Sequence, residues 1–270
     1  MIEIRSKAQG AELTSIKVDG KEKLHDGKKD WNRHAPVLFP IVGQLKNGET
    51  IIEGKKYKMG QHGFARDMQF EEIGPHKYRL TYNEETLEKY PYKFELNISY
   101  TVQDSTVETK YQVKNLDSKT IYFGLGGHPA FICNYKNAEI VFEQEEKDIQ
   151  IDQLEEGLVK DHPEKIEKFT DGKRIVLNEN SFDNDAIIMK NLKSNKVILK
   201  ENGKELLEFD FTEFPILAIW SKKGANFLCI EPWLNTADIV SSTGNYTDKE
   251  GIINIEPEEL FEAKFKVIFK

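Results

Sequence analysis

The stretch Tyr92-Lys93-Phe94-Glu95-Leu96-Asn97-Ile98-Ser99-Tyr100 alternates apolar and polar side chains without a break. Period two puts successive residues on opposite faces of an extended chain, so this segment reads as a strand with one face buried. After a turn at Gln103-Asp104-Ser105, Val107, Thr109, Tyr111 and Val113 repeat the pattern. The two runs are predicted to pair as an antiparallel hairpin. The alternation returns at the carboxyl end in Phe261, Ala263, Phe265, Val267 and Phe269.

Further strands are predicted over Tyr78 to Tyr82, Ala138 to Phe142, Lys196 to Leu199, Leu206 to Phe211 and Ile216 to Trp220, separated by clusters of turn-forming residues. Helical signals are sparse. Asn83 is placed to cap a short helix over Glu84 to Tyr90 that Pro91 ends, and Asp148 to Leu158 is read as another turn or two of helix. Closely spaced strands without long intervening helices point to an all-β antiparallel sandwich rather than a parallel α/β sheet.

The chain has 270 residues, a length that a large β-sandwich reaches as one unit, so residues 1–270 are expected to form a single domain. Its 16 Phe and 10 Tyr are enough to fill a sizeable core. Acidic residues outnumber basic ones by 46 to 38, and no basic stripe offers the clustered positive face that nucleic-acid binding needs. No run approaches the ~20 apolar residues that cross a bilayer, and the amino terminus lacks the pattern of a secretory signal. Cys133 and Cys229 lie in apolar surroundings and read as buried thiols. A cytoplasmic protein without nucleic-acid or membrane partners is expected, as a monomer or homodimer. The acidic, lysine-bearing stretch 143–171 reads as a solvated surface excursion.

Three segments carry candidate chemistry: Gly126-Gly127-His128-Pro129-Ala130, Gln61-His62-Gly63-Phe64-Ala65-Arg66 and Cys229-Ile230-Glu231-Pro232-Trp233. Glycines free the backbone and proline stiffens the exit, so the His128 imidazole is presented from a fixed loop. Histidine titrates near neutrality and suits proton transfer. Glu231 follows an apolar run, and partial desolvation at the end of a buried strand raises the basicity of a carboxylate. Facing His128 across a cleft, it would complete an acid and base.

Together with Arg33-His34-Ala35-Pro36-Val37-Leu38-Phe39-Pro40-Ile41-Val42-Gly43 and Asn184-Asp185-Ala186, these segments resemble the aldose 1-epimerases, or galactose mutarotase-like proteins, and within them the LacX-type branch. The resemblance spans most of the chain. It implies a large antiparallel β-supersandwich with a sugar site in an open cleft, and an isomerase that interconverts the α and β anomers of an aldose or aldose phosphate. His128 would protonate the ring oxygen and Glu231 would take the proton of the C1 hydroxyl, with no metal or organic cofactor.

The resemblance also implies that His62 and Asp185 bind the sugar, with Asp183 the alternative carboxylate. Trp233 would offer a flat apolar surface to a pyranose face or simply fill the core or rim. Arg33 and Arg66 would engage a phosphate, as guanidinium groups do well, or form structural ion pairs such as Arg66 with Asp67. Leu38-Phe39 replaces an Asn-Arg pair of the galactose mutarotases, and the histidine motif reads Gly-His-Pro-Ala, so galactose itself is not indicated. A non-catalytic sugar binder remains the alternative. A metal-dependent hydrolase using His62, His128 and a carboxylate is disfavoured, because no two histidines show the short spacing of such sites.

Overall fold

The computed structural model describes residues 1–28 and 30–270. Two antiparallel sheets dominate. The larger has nine strands in the order Arg174–Val176, Ala138–Phe142, Lys196–Glu201, Lys204–Asp210, Leu260–Phe269, Thr106–Asn115, Phe94–Gln103, Lys77–Thr81 and Glu71–Gly74. The hairpin read from the sequence lies near its centre, with Tyr111 paired to Ile98 and Val113 to Leu96, and Asp104 takes the positive φ of 53° that the tight turn requires.

The second sheet runs Gln150–Asp152, Ile187–Lys190, Ile216–Trp220, Phe227–Trp233, Gly126–Gly127 and Val37–Leu38, with Ala130–Ile132 pairing on Phe227–Trp233 as well. Its strands alternate between two apolar environments. Ile187, Met189, Leu217, Ile219, Leu228 and Ile230 enter the core shared with the nine-stranded sheet. Ile188, Ile216, Ala218 and Trp233 lie on the opposite face. One face of this sheet therefore closes the sandwich and the other is left to build a site.

Among the described residues there is one α-helix, Glu84–Lys89. Asn83 caps it as expected: its side chain accepts from Thr86 N–H, and Thr86 Oγ1 accepts from Asn83 N–H. Among the described residues no helix is long and apolar enough to cross a membrane. The helix expected over 148–158 does not form. Gln150–Asp152 is instead an edge strand on Ile187–Lys190, and Leu154–Glu155 pairs with Leu158–Val159. Nor is the acidic stretch fully solvated: Glu146 is buried and accepts from the N–H groups of Lys193 and Ser194, while Asp152 is buried against Lys190. Specific donors overrode local propensity in both places.

Glu12 shows what fixes the edge of the second sheet. Its buried carboxylate accepts from His34 N–H at 2.7 Å and Ala35 N–H at 3.2 Å and pairs with Lys7 at 2.6 Å. Burial alone would raise its pKa, but the bonds from His34 and Lys7 outweigh burial and bring it from 4.5 to about 2. The folded value lies below the unfolded one, so the stabilisation is complete above about pH 4.5 and is lost as pH falls towards 2, a contribution of about 3 kcal/mol. Glu12→Gln is expected to lower stability at neutral pH and to flatten its decline between about pH 5 and 2. Denaturant unfolding across that range checks it, and an unchanged acid slope would refute the assignment.

Candidate active site

Strand register brings the two central residues together. Gly126 pairs with Trp233 and Ala130 pairs with Cys229, both on the strand Phe227–Trp233. His128 lies midway between Gly126 and Ala130, and Glu231 midway between Cys229 and Trp233, so they face each other as cross-strand neighbours. His128 Nε2 is 3.2 Å from Glu231 Oε2. The pair is in contact rather than opposed across a cleft. On the far side of the histidine segment, Pro36 O accepts from His128 N–H and His34 O from Ala130 N–H, within the segment that Glu12 holds.

The glycines before His128 serve close approach, since neither has a positive φ. A Cβ on Gly126 would stand 2.9 Å from the Trp233 ring, and one on Gly127 would stand 2.8 Å from the Tyr111 hydroxyl. A side chain at Gly126 would press on its paired strand, and one at Gly127 would press on the nine-stranded sheet behind it.

Both members of the pair are buried, His128 at 7% exposure and Glu231 at 1%. Burial, aided by the charges of Arg66 and Arg33 and opposed by a backbone hydrogen bond, pushes the His128 imidazole down to about 3. Burial also pushes the Glu231 carboxyl well above 4.5, with Asp185 reinforcing and the indole N–H of Trp233, 3.2 Å away, opposing. Each charged form is disfavoured by desolvation, so the pair takes its first proton on the Glu231 carboxyl well above 4.5 and a second, on the His128 imidazole, only at about 3.

These groups open into a cavity of about 530 Å³. His62, Arg66, His128, Asp185, Glu231 and Trp233 all line it. His62 has a φ of 65°, and Gly43 clamps it from both sides: His62 N–H donates to Gly43 O at 2.7 Å, and Gly43 N–H donates to His62 Nδ1 at 3.0 Å. An accepting Nδ1 leaves the proton on Nε2, so the ring is a neutral donor. Burial lowers its pKa well below 6.5, as do the charges of His128, Arg66 and Arg33.

Arg66 donates to Gln61 O at 2.6 Å, whereas its buried Nε has no hydrogen-bond partner. Burial, together with Arg33, lowers its pKa to about 10 against the pull of Asp67. Arg33 does not line the cavity; its guanidinium is held by Asp67 at 2.8 Å, and the same carboxylate lies 3.8 Å from Arg66 Nε, the ion pair expected of Arg66 and Asp67. Between the two aspartates the structure chooses: Asp183 is tied to Lys223 at 2.7 Å, and Asp185 lines the cavity. Asp185 is exposed at the rim, yet its carboxyl is set back far enough for burial to raise its pKa.

Two residues missed in the sequence complete the walls. The chain's three tryptophans, Trp31, Trp220 and Trp233, all line this cavity. The Trp31 ring lies 4.8 Å from the His128 ring at 31°, and Trp220 meets it edge-on at 5.9 Å. Trp220 was legible in principle, because alternation along Ile216–Trp220 puts it on the face of Ala218, which pairs with Glu231. Trp31 sits outside any strand and gave no periodic signal. Cys229, read as an inert apolar thiol, is indeed buried and free, but it faces the same side as Glu231. Donor atoms of His128, Cys229 and Glu231 lie within 4.8 Å of one another.

The arrangement offers a buried proton donor and acceptor at one point, a fixed neutral donor in His62, a cation in Arg66 and three flat aromatic faces. Such a lining suits a small polar ring with apolar faces.

Comparison with known proteins converges on one group. The family model described as aldose 1-epimerase matches residues 3–254. The chromosomal protein LacX of Lactococcus lactis subsp. lactis is 32% identical, over 98% of this chain and 95% of the relative. A galactose mutarotase related enzyme from Lactobacillus acidophilus superposes with a TM-score of 0.91 at 31% identity, covering 100% of this chain and 95% of that one. A galactose mutarotase-like protein from Lactobacillus casei ATCC 334 gives 0.93 at 28% identity, covering 100% and 97%.

A histidine pushed down to about 3 stays neutral where an ordinary one titrates. Nitrogen-15 spectra of the ligand-free protein from about pH 5 to 8 are expected to show no inflection for His128. A midpoint near 6.5 would mean that the imidazole is hydrated.

Proposed function

The chain belongs to the aldose 1-epimerase family, and from that premise we propose that it interconverts the α and β anomers of an aldose, or of its phosphate ester, by general acid–base ring opening at His128 and Glu231. The observation that carries the reading is the 3.2 Å contact between His128 Nε2 and Glu231 Oε2 inside the cavity. In a cyclic hemiacetal the ring oxygen and the anomeric hydroxyl share one carbon. An acid and a base serving both must therefore lie side by side within the width of a single acetal centre.

Ring opening takes the proton of the C1 hydroxyl onto the Glu231 carboxylate and gives the His128 proton to the ring oxygen. The C1–O5 bond breaks and C1 becomes a carbonyl. Rotation about C1–C2 presents the other face, and reclosure returns both protons to the groups that supplied them. The number of protons on the pair is the same before and after. Burial places the pair's proton on the carboxyl, and its passage to the imidazole gives the imidazolium–carboxylate form that ring opening uses.

His62 Nε2–H is available to a sugar oxygen, and Asp185 on the opposing rim can accept from hydroxyls. The tryptophans give the pyranose C–H faces a surface to pack on and keep the site dry, which strengthens each polar contact. Arg66 lines the cavity as the cation that would meet an anionic substituent, and the second arginine is engaged by Asp67. A sugar binder without turnover is the second reading. The buried acid–base contact argues against it, because desolvating two titratable groups is costly and binding alone does not need them.

Anomer exchange measured by magnetisation-transfer NMR over neutral aldoses and their phosphate esters tests the proposal. Glu231→Gln and His128→Asn are each expected to slow exchange on the order of 10²- to 10⁴-fold. Equal rates for all three proteins on every sugar would sink the catalytic claim, and tight calorimetric binding without exchange would leave the binder.

The pH dependence follows from the same pair. His128 takes a second proton only well below 6.5, and Glu231 loses its proton only well above 4.5. The rate is therefore expected not to fall as pH is lowered from about 7 to about 5.5. A tenfold loss per unit below 6.5 would contradict it.

A further inference from the structure

We infer that His128, Cys229 and Glu231 together form a binding site for a thiophilic divalent cation such as zinc, and that the cation switches the isomerase off. The binding half stands on geometry alone; the inhibitory half rests on the function proposed above.

Cys229 and Glu231 are two apart on one strand and point to the same side, and His128 meets them from the paired strand. Their nitrogen, sulfur and oxygen donors lie within 4.8 Å of one another. A tetrahedral zinc ion with bonds of ~2.0 Å to nitrogen and oxygen needs those two atoms roughly 3.3 Å apart. The observed separation is 3.2 Å. The sulfur has to close in by at most about an ångström, which a χ1 adjustment of Cys229 supplies.

The donor set decides the metal. A thiolate with an imidazole suits zinc or cobalt, whereas magnesium and calcium require all-oxygen shells. Three protein ligands leave a fourth position open, and here it faces the cavity through His128 and Glu231, which line it. Behind the thiol, Ala130, Ala225 and Phe227 pack as an apolar wall, so water does not compete from that side. A cation there would occupy the Nε2 and carboxylate oxygen that the proton transfer uses. Its binding would displace the protons of the thiol and the pair, so occupancy falls as pH falls.

Cobalt(II) titration of the full chain is the primary test, because sulfur-to-cobalt charge transfer in the near ultraviolet reports thiolate ligation independently of activity. One equivalent is expected to produce that band together with the visible absorption of a tetrahedral ion. Cys229→Ala is expected to remove the band and to weaken zinc binding at least ~10-fold by calorimetry. Should that variant fail to fold, Glu231→Gln is expected to show the same loss of zinc affinity. Zinc is expected to stop anomer exchange in the wild type, and magnesium to give no heat. Absence of the sulfur band, or wild-type zinc affinity in both variants, would overturn the site and leave adventitious surface binding. A wild type with no anomer exchange on any sugar would remove the function proposed above, while the cobalt band would still decide the metal site.

Discussion

His128 and Glu231 meet because the pairs on either side of them, Gly126 with Trp233 and Ala130 with Cys229, hold one register. Side chains alternate along a strand, so a slip of one residue would turn Glu231 into the core and Leu228 or Ile230 into the cavity. That cost makes the register robust. Burying an imidazole and a carboxyl group in charged form would cost several kcal/mol per charge, so burial favours the neutral form of each, and their contact gives each a polar neighbour. The pair and the register thus support each other, and Glu12 secures the flanking segment whose carbonyls hold the histidine strand.

The strand Phe227–Trp233 divides two kinds of chemistry by parity. Leu228 and Ile230 join the aromatic and aliphatic core behind it. Phe227, Cys229, Glu231 and Trp233 face the other way. The apolar residues among these, with Trp31 and Trp220, lower the local polarity around the pair. Burial then moves the histidine down and the glutamate up. A single proton shared between two groups poised in this way is matched to a reaction that donates one proton and accepts another at the same carbon.

Much of this was legible along the chain. The hairpin of Phe94–Gln103 with Thr106–Asn115 and the Asn83 cap are local matters of alternation and of one side chain reaching its own turn, and the structure has both. The stretch 143–171 misled because its acidic residues look solvated, and 148–158 within it looks like a turn or two of helix. Glu146 and Asp152 are instead buried with donors from Lys193, Ser194 and Lys190, which are more than 30 residues away. Arg33 looked equivalent to Arg66; Asp67 pairs with both, at 2.8 Å and 3.8 Å, and only the tertiary placement of the two guanidinium groups set Arg66 on the cavity and Arg33 beside it.

From its own pattern the chain determined an antiparallel β fold, the strands that build it and the residue types able to carry proton transfer, because period-two alternation and turn chemistry act between near neighbours. The tertiary structure decided which of those residues touch. It set Asp185 rather than Asp183 on the cavity, gathered all three tryptophans around that cavity and put Cys229 beside the acid–base pair. These outcomes depend on sheet order and register between strands about 100 residues apart, which are fixed by packing two whole faces against each other and not by any local preference.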